Sequence, residues 1–371
     1  MAERRGVPWR LVVPPAVLVP ISIAMRLAGA PDLAVFAAAG VAVIPLALIM
    51  GVATEDLAKR AGPGTGGLLN ATLGNATELI IALAALVRAG TLASTDPATA
   101  SSLVEVVKAS ITGSIVGNLL LVLGLSMLVG GLRHKKQTFS ASAANLQVTM
   151  LALAVAALVM PELFSLSYSA SGRPPPALPN LSLWISALLL VGYILGLVFA
   201  LHTHRDMFNP VGHTEEKPRW NGRFALVVLA AATALVAVEA ELLVGALGGV
   251  TRTLGLTEIF VGVIVIAIFG NAAEQGTAII MARRNKMDLA VAIPTNASTQ
   301  IALFVTPVLV LASVALGKAL TLDFEIFELV ALILCVAIAG LIARDGESNW
   351  YEGALLLLLY AIIAVGFYFH P

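Results

Sequence analysis

Cysteine is almost missing from this 371-residue chain: there is one, Cys335, inside an apolar run. A lone thiol builds neither a disulfide framework nor a Cys-based metal site, and in that setting it reads as a small core residue. Charge is scarce as well. Asp, Glu, Lys and Arg make up 12% of the residues, against about 25% in a soluble domain. The two signs cancel to a formal net charge of zero, so nothing in the balance points to nucleic acid or to an acidic partner. The zinc-protease pattern His-Glu-x-x-His and the phosphate loop Gly-x-x-x-x-Gly-Lys are both absent. With no nucleophile–base constellation either, the chain does not read as an enzyme, and it carries no ATP-driven pump. What fills the space is apolar: 59% of residues are hydrophobic. The chain is an all-α integral membrane protein that works in a lipid bilayer.

A spanning helix needs about 20 apolar residues. That ruler predicts eleven spans, at 11–30, 33–53, 67–88, 103–131, 141–160, 180–202, 223–247, 256–282, 288–316, 324–343 and 350–370. Arg4-Arg5 followed by a Pro-interrupted apolar stretch and Ala28-Gly29-Ala30 also fits a cleavable signal peptide. Connections are short. The longest, 203–222, is polar and is expected as a cytoplasmic linker, and Pro174-Pro175-Pro176 marks another non-helical connection. With the N-terminus cytoplasmic and the C-terminus outside, sixteen of the 22 Lys and Arg residues fall on one side and four on the other. This bias agrees with the positive-inside rule.

Two apolar runs carry the same insertion. Gly74-Asn75-Ala76-Thr77-Glu78 lies within 67–88, and Gly270-Asn271-Ala272-Ala273-Glu274 within 256–282. A carboxylate at mid-membrane costs roughly 2.5–3.5 kcal/mol on insertion scales, so a repeated one marks a function. Residues 1–32 are then an extra N-terminal transmembrane helix, 33–202 a first five-helix repeat and 223–371 a second. Five is odd, so the second repeat enters the membrane from the opposite side, as in many secondary transporters. Gly74 and Gly270 allow each helix to open and present carbonyls to an ion. Each half adds a second polar cluster. One is Lys108-Ala109-Ser110-Ile111-Thr112-Gly113-Ser114 on to Asn118; the other is Pro294-Thr295-Asn296-Ala297-Ser298-Thr299-Gln300. Ser114 and Asn118 are four apart and share a helical face.

Carboxylates, amides, hydroxyls and carbonyls make an all-oxygen set, which suits a hard cation. Ca²⁺ takes 6–8 oxygens, and Mn²⁺ also accepts carboxylate and carbonyl ligands. Two ionised glutamates carry two negative charges, which one divalent cation or one proton on each would neutralise. Either neutral form crosses a low-dielectric barrier more cheaply than the bare pair. The residue count thus predicts exchange of a divalent cation for protons at a single site shared by the two halves, with no cofactor beyond the bound ion.

The chain resembles the cation/proton exchanger (CAX) family of the calcium:cation antiporters. The resemblance is carried by Asn70 to Ile80, Lys108-Ala109-Ser110, Gly113-Ser114 and Asn118 to Gly124 in the first half. In the second half it is carried by Gly270 to Glu274, Asn285 to Ala290, Gln300 to Pro307, and Asp345 to Trp350 with Glu352-Gly353-Ala354. It implies Ca²⁺/H⁺ antiport by alternating access and an eleven-span fold. It further implies Glu78 and Glu274 as principal ligands, helped by Asn75, Asn271, Ser114, Asn118, Ser298 and Gln300. Compact loops suggest a prokaryotic plasma membrane. Three features depart from the family pattern. Gln275 stands where the family has His, Asn296-Ala297-Ser298 replaces Gly-Ser-Ser, and 203–222 lacks an acidic run. A Gln cannot titrate as a His does, which keeps a Na⁺-coupled Ca²⁺ exchanger as the alternative. A passive channel is the less favoured one, since channels use ligand rings and weak multiple sites.

Other polar residues read more plainly. Glu105 and Lys108, three apart near a span end, are expected to screen one another and snorkel to the interface. Of Glu239 and Glu241, one is expected to face a water-filled cavity or the ion path. His202, His204 and His213 read as a solvated loop rather than a metal site.

Overall fold

A computed structural model describes residues 9–169, 177–204, 218–317 and 319–370. Helices are α1 (Trp9–Leu27), α2 (Asp32–Leu73), α3 (Ala76–Leu92), α4 (Pro97–Val116), α5 (Leu123–Arg133), α6 (Ala141–Ser169) and α7 (Leu178–Val198). They continue as α8 (Gly222–Leu254), α9 (Ala267–Arg283), α10 (Met287–Gln300), α11 (Thr306–Ala315), α12 (Ile326–Ala343) and α13 (Trp350–Phe369). π-helical segments at Gly117–Val122, Phe199–Thr203, Val261–Ile266 and Ile301–Val305 interrupt or extend these helices. Two short strands, β1 (Gln137–Thr138) and β2 (Glu347–Ser348), pair antiparallel with Gln137 opposite Ser348. His213, the proline run 174–176 and most of the linker lie outside the described residues.

Among the described residues eight helices are long and apolar enough to cross a bilayer, or nine if the bent run Glu258–Arg283 is one span. These match nine of the eleven expected spans. The first appears as a shorter apolar helix, Val13–Leu27, and the third is split at Gly74-Asn75 between α2 and α3. The count of eleven is therefore not reached by length and apolarity alone.

α2 runs 42 residues, about 63 Å if straight at 1.5 Å per residue. It is not straight. A side chain at Gly66 would overlap the Ala58 carbonyl, although residues eight apart on a straight helix are about 12 Å apart. The backbone therefore bends between Ala58 and Gly66. Helix ends follow the local sequence. Asn221 caps α8 by accepting from the Phe224 amide at 2.6 Å, and Gly255 closes it with φ +64°. Asn349 and Glu352 form a reciprocal capping box on α13.

The fold separates into two compact units, each drawing on both halves of the sequence. The first comprises residues 1–85 and 196–256, the second 86–195 and 257–371. In the first, Val19, Ala42, Leu46, Ala53, Ala225, Ala232 and Val236 belong to an apolar core that packs α1, α2 and α8 together. Asp56 fastens one end, accepting from the amides of Arg219 (3.1 Å) and Trp220 (2.7 Å), while Arg60 donates to the Trp220 carbonyl. Arg26 and Asp32 pair at 3.4 Å at the other end. Glu241 is exposed, and Glu239 is buried against Ser22.

In the second unit, α4, the segment Gly117–Val122 and α5 form one continuous span. Lys108 corrects the snorkelling expectation. Only 4% exposed, it donates to Glu105 Oε1 (3.2 Å), Asp323 Oδ1 (2.9 Å) and the Asp323 carbonyl (3.0 Å). All three ammonium donors are thereby used. Asp323 belongs to a strap, residues 319–325, whose Leu320, Leu322 and Phe324 point inward and alternate with polar residues. Ser313 and Ser182 hold the strap by accepting from the amides of Leu320 and Leu322. Gln137 donates to the Ala282 carbonyl and to Asn285 Oδ1, tying β1 to the end of α9.

Candidate functional site

Both sequence repeats of Gly-Asn fall where a helix breaks. In the first unit α2 stops at Leu73, and Gly74 and Asn75 form a turn. α3 then starts at Ala76, with the Asn75 carbonyl accepting from the Leu79 amide at 3.1 Å. Glu78 thus sits in the first turn of α3, where free amides and the helix dipole favour a negative charge. Asn75 and Thr77 are buried, and Glu78 Oε2 is buried with no hydrogen-bond partner among the described residues. Ala76, Leu73 and Ile80 anchor this turn against the α2–α8 core.

In the second unit the run Glu258–Ala272 meets Glu274–Arg283 at 66°, so the bend falls between Ala272 and Glu274, within α9. Asn271 is buried and joins two polar residues of the first sequence half. Its Nδ2 donates to Ser114 Oγ (3.0 Å) and to the Ala267 carbonyl (2.9 Å), and its Oδ1 accepts from Asn118 Nδ2 at 3.2 Å. Ser114 and Asn118, four apart, meet the same partner. Asn118 Oδ1 is buried with no hydrogen-bond partner among the described residues, leaving a carbonyl-type oxygen available to a ligand.

Two glycines bring these helices to that distance. A side-chain carbon on Gly113 would overlap the Val263 backbone, and one on Gly262 would press on Ala109. α4 and Val261–Ile266 are therefore in backbone contact immediately before Ser114 and shortly before Asn271. α10 packs beside α9 and Gly117–Val122. Ser298 is buried there, donating to the Pro294 carbonyl at 2.9 Å, and Gln300 ends the helix, partly exposed. Gly270 is buried and Gly74 exposed.

The structure thus gathers Ser114, Asn118 and Asn271, and places Asn75 and Glu78 together at the other break. Among the described residues no group of three His, Cys, Asp or Glu side chains is arranged around a metal position. The oxygen set here is mainly amide and hydroxyl, which suits a hard cation. Sequence reasoning did not find Asp323, Gln147 or the π-helical segments. Gln147 Oε1 accepts from Thr295 Oγ1 at 2.5 Å, and an amide in an apolar span was a usable signal for it. One π segment contains Asn118, another follows Gln300 directly, and a third ends five residues before Asn271, a frequent placement at functional positions.

Broken apolar helices with acidic and amide side chains at the breaks define a class, the polytopic ion transporters. The chain belongs to the sodium/calcium exchanger protein family, whose model matches residues 32–202 and 224–369. It is 45% identical to a Ca²⁺/H⁺ antiporter of Synechocystis sp., covering 96% of both chains. It is 44% identical to the Ca²⁺/H⁺ antiporter ChaA of Bacillus subtilis, covering 94% of this chain and 96% of that one. The solved structure of native YfkE superposes with a TM-score of 0.80 at 40% identity, over 97% of this chain and 99% of the other. The H⁺/Ca²⁺ exchanger CAX shares the fold, with a TM-score of 0.73 at 14% identity over 97% and 91%.

Proposed function

We propose that this chain is a secondary active transporter that exchanges Ca²⁺ for protons by alternating access. One observation carries the reading. Glu78 offers a buried carboxylate oxygen with no hydrogen-bond partner among the described residues, at the start of a helix inside an apolar protein. Such an oxygen needs a cation or a proton. Near-full-length identity to proteins named Ca²⁺/H⁺ antiporter supports that pair of ions.

In this reading Glu78 and Glu274 are the ion-carrying carboxylates. Asn75, Asn271, Ser114, Asn118, Ser298 and Gln300 supply neutral oxygens, and Gly74 and Gly270 provide backbone freedom. The two carboxylates are neutralised alternately by one divalent cation and by two protons, and no cofactor takes part. Residues 33–202 and 223–371 act as repeats of opposite orientation. The sixteen-to-four distribution of basic residues supports a cytoplasmic N-terminus and an outside C-terminus, and the compact loops support a prokaryotic plasma membrane.

The test is flux into proteoliposomes under separate proton and sodium gradients, with Ca²⁺ and Mn²⁺ compared. Ca²⁺ uptake is expected to follow the proton gradient and ignore the sodium gradient. Uptake driven by sodium alone would refute proton coupling, and ion current without counterflow would refute exchange.

A further inference from the structure

Glu239 is a buried carboxyl that the exchange reading does not use. It lies within α8, fully buried, seventeen residues beyond the helix start. Its surroundings are apolar: Val236 one turn before it packs with Val19 of α1 and Ala42 of α2. Its one hydrogen-bond partner among the described residues is Ser22, whose Oγ lies 2.7 Å from Glu239 Oε1. The same Ser22 Oγ also lies 2.8 Å from the Val19 carbonyl of its own helix. A serine hydroxyl has one proton, yet both of these neighbours are oxygens that accept. If Ser22 donates to Val19, the usual bond of a helical serine, the 2.7 Å contact needs a second proton. Among the described residues bonded to Ser22, Glu239 alone can provide it.

Charge accounting leads to the same place. Glu239 Oε2 is buried with no partner among the described residues, so a carboxylate would rest on one shared hydroxyl. Most charged groups described on the three packed helices have other partners. Arg26 pairs with Asp32 and Lys59 with Glu55. Asp56 and Arg60 hold residues 219–220, Arg252 bonds the Gly248 carbonyl, and Arg223 and Glu241 lie on other positions of α8. Among the described residues no cation bonds Glu239, and a bare ion in this setting is heavily penalised. One carboxyl and one hydroxyl are also too few oxygens for a metal ion.

We propose that Glu239 is a resident proton-binding site: a neutral carboxylic acid that donates its proton to Ser22 and fastens α1 to α8. This proton is not one of those exchanged for Ca²⁺.

Infrared spectra of the purified protein at neutral pH test it. Glu239→Gln should remove one carboxylic-acid C=O band and no carboxylate band, and that band should persist in the wild type when Ca²⁺ saturates the protein. Ser22→Ala should move the band to higher frequency, as expected for an acid that has lost its acceptor. Glu239→Gln, whose amide still donates to Ser22, should keep wild-type Ca²⁺ uptake. Loss of a carboxylate band in Glu239→Gln would overturn the proposal, since Glu239 would then be ionised. Disappearance of the acid band on adding Ca²⁺, or lost uptake in a folded Glu239→Gln, would put the proton in the transport cycle and overturn it equally. Should Glu239→Gln not fold, an acid band unmoved in Ser22→Ala would decide against it.

Discussion

At the scale of single residues, the two glutamates carry the sharpest expectation. Glu78→Gln and Glu274→Gln keep size and lose charge, so each should abolish Ca²⁺-driven proton release in vesicles while the protein remains folded by thermal melting. Exchange at the wild-type rate in either variant would remove that residue from the ion path. Asn271→Ala takes away the partner of both Ser114 and Asn118. It should weaken Ca²⁺ binding measured by calorimetry, and unchanged affinity would make the network structural only. The glutamates were legible because one motif occurs twice in apolar surroundings. The contact of Asn271 with Ser114 and Asn118 was not, because it joins residues more than 150 positions apart in sequence. Lys108 shows the same limit. Its local partner Glu105 was found, but the stronger geometry is to Asp323, 215 residues away. Removing one partner of a buried pair costs about 3–5 kcal/mol, and the lower end applies here because Asp323 still meets solvent. Lys108→Met should accordingly lower the melting temperature, and a variant as stable as wild type would contradict the buried bridge.

At the scale of elements, helix breaks and close approaches shape the candidate site. The glycine before each Asn made the breaks foreseeable, and both occur within four residues of the glutamate. The π-helical segments had no such signal, since one extra residue per turn leaves no compositional trace. Gly113→Val would force α4 away from Val261–Ile266. Overpacking of this kind costs about 1–3 kcal/mol, and it should also separate Ser114 from Asn271. Expected together are a lower melting temperature and weaker Ca²⁺ binding; a stable variant with intact affinity would show that the contact does not set the network. The start of α4 offers a pH handle. Asp96 caps it by accepting from the Thr99 amide and hydroxyl, which hold its carboxyl below the ordinary range. A depressed carboxyl stabilises above its unfolded pKa of about 3.9 and loses that effect as pH falls through the folded value. The melting difference between wild type and Asp96→Ala should therefore be present at neutral pH and shrink in acid; a difference independent of pH would exclude a charged cap.

At the scale of the whole molecule, composition alone fixed the class and the membrane setting. Charge bias suggested an orientation, which site-directed labelling at exposed Lys135 and Arg252 should resolve into opposite sides. Labelling of both positions by the same impermeant reagent in sealed vesicles would reverse that assignment. The spans were mostly legible because hydrocarbon thickness imposes a length. The exceptions, a short first helix, a third divided at Gly74-Asn75 and an eighth bent by 66°, are where the chain departs from one unbroken helix per crossing. Less legible was how the segments assemble. The sequence divides at its polar linker into two halves, but the compact units are residues 1–85 with 196–256 and 86–195 with 257–371. Each body is braided from both halves of the polypeptide. If the gene were split between codons 204 and 218, neither product would own a complete interior, so each made alone should be degraded. Made together they should rescue one another or fail together, with no half-working survivor.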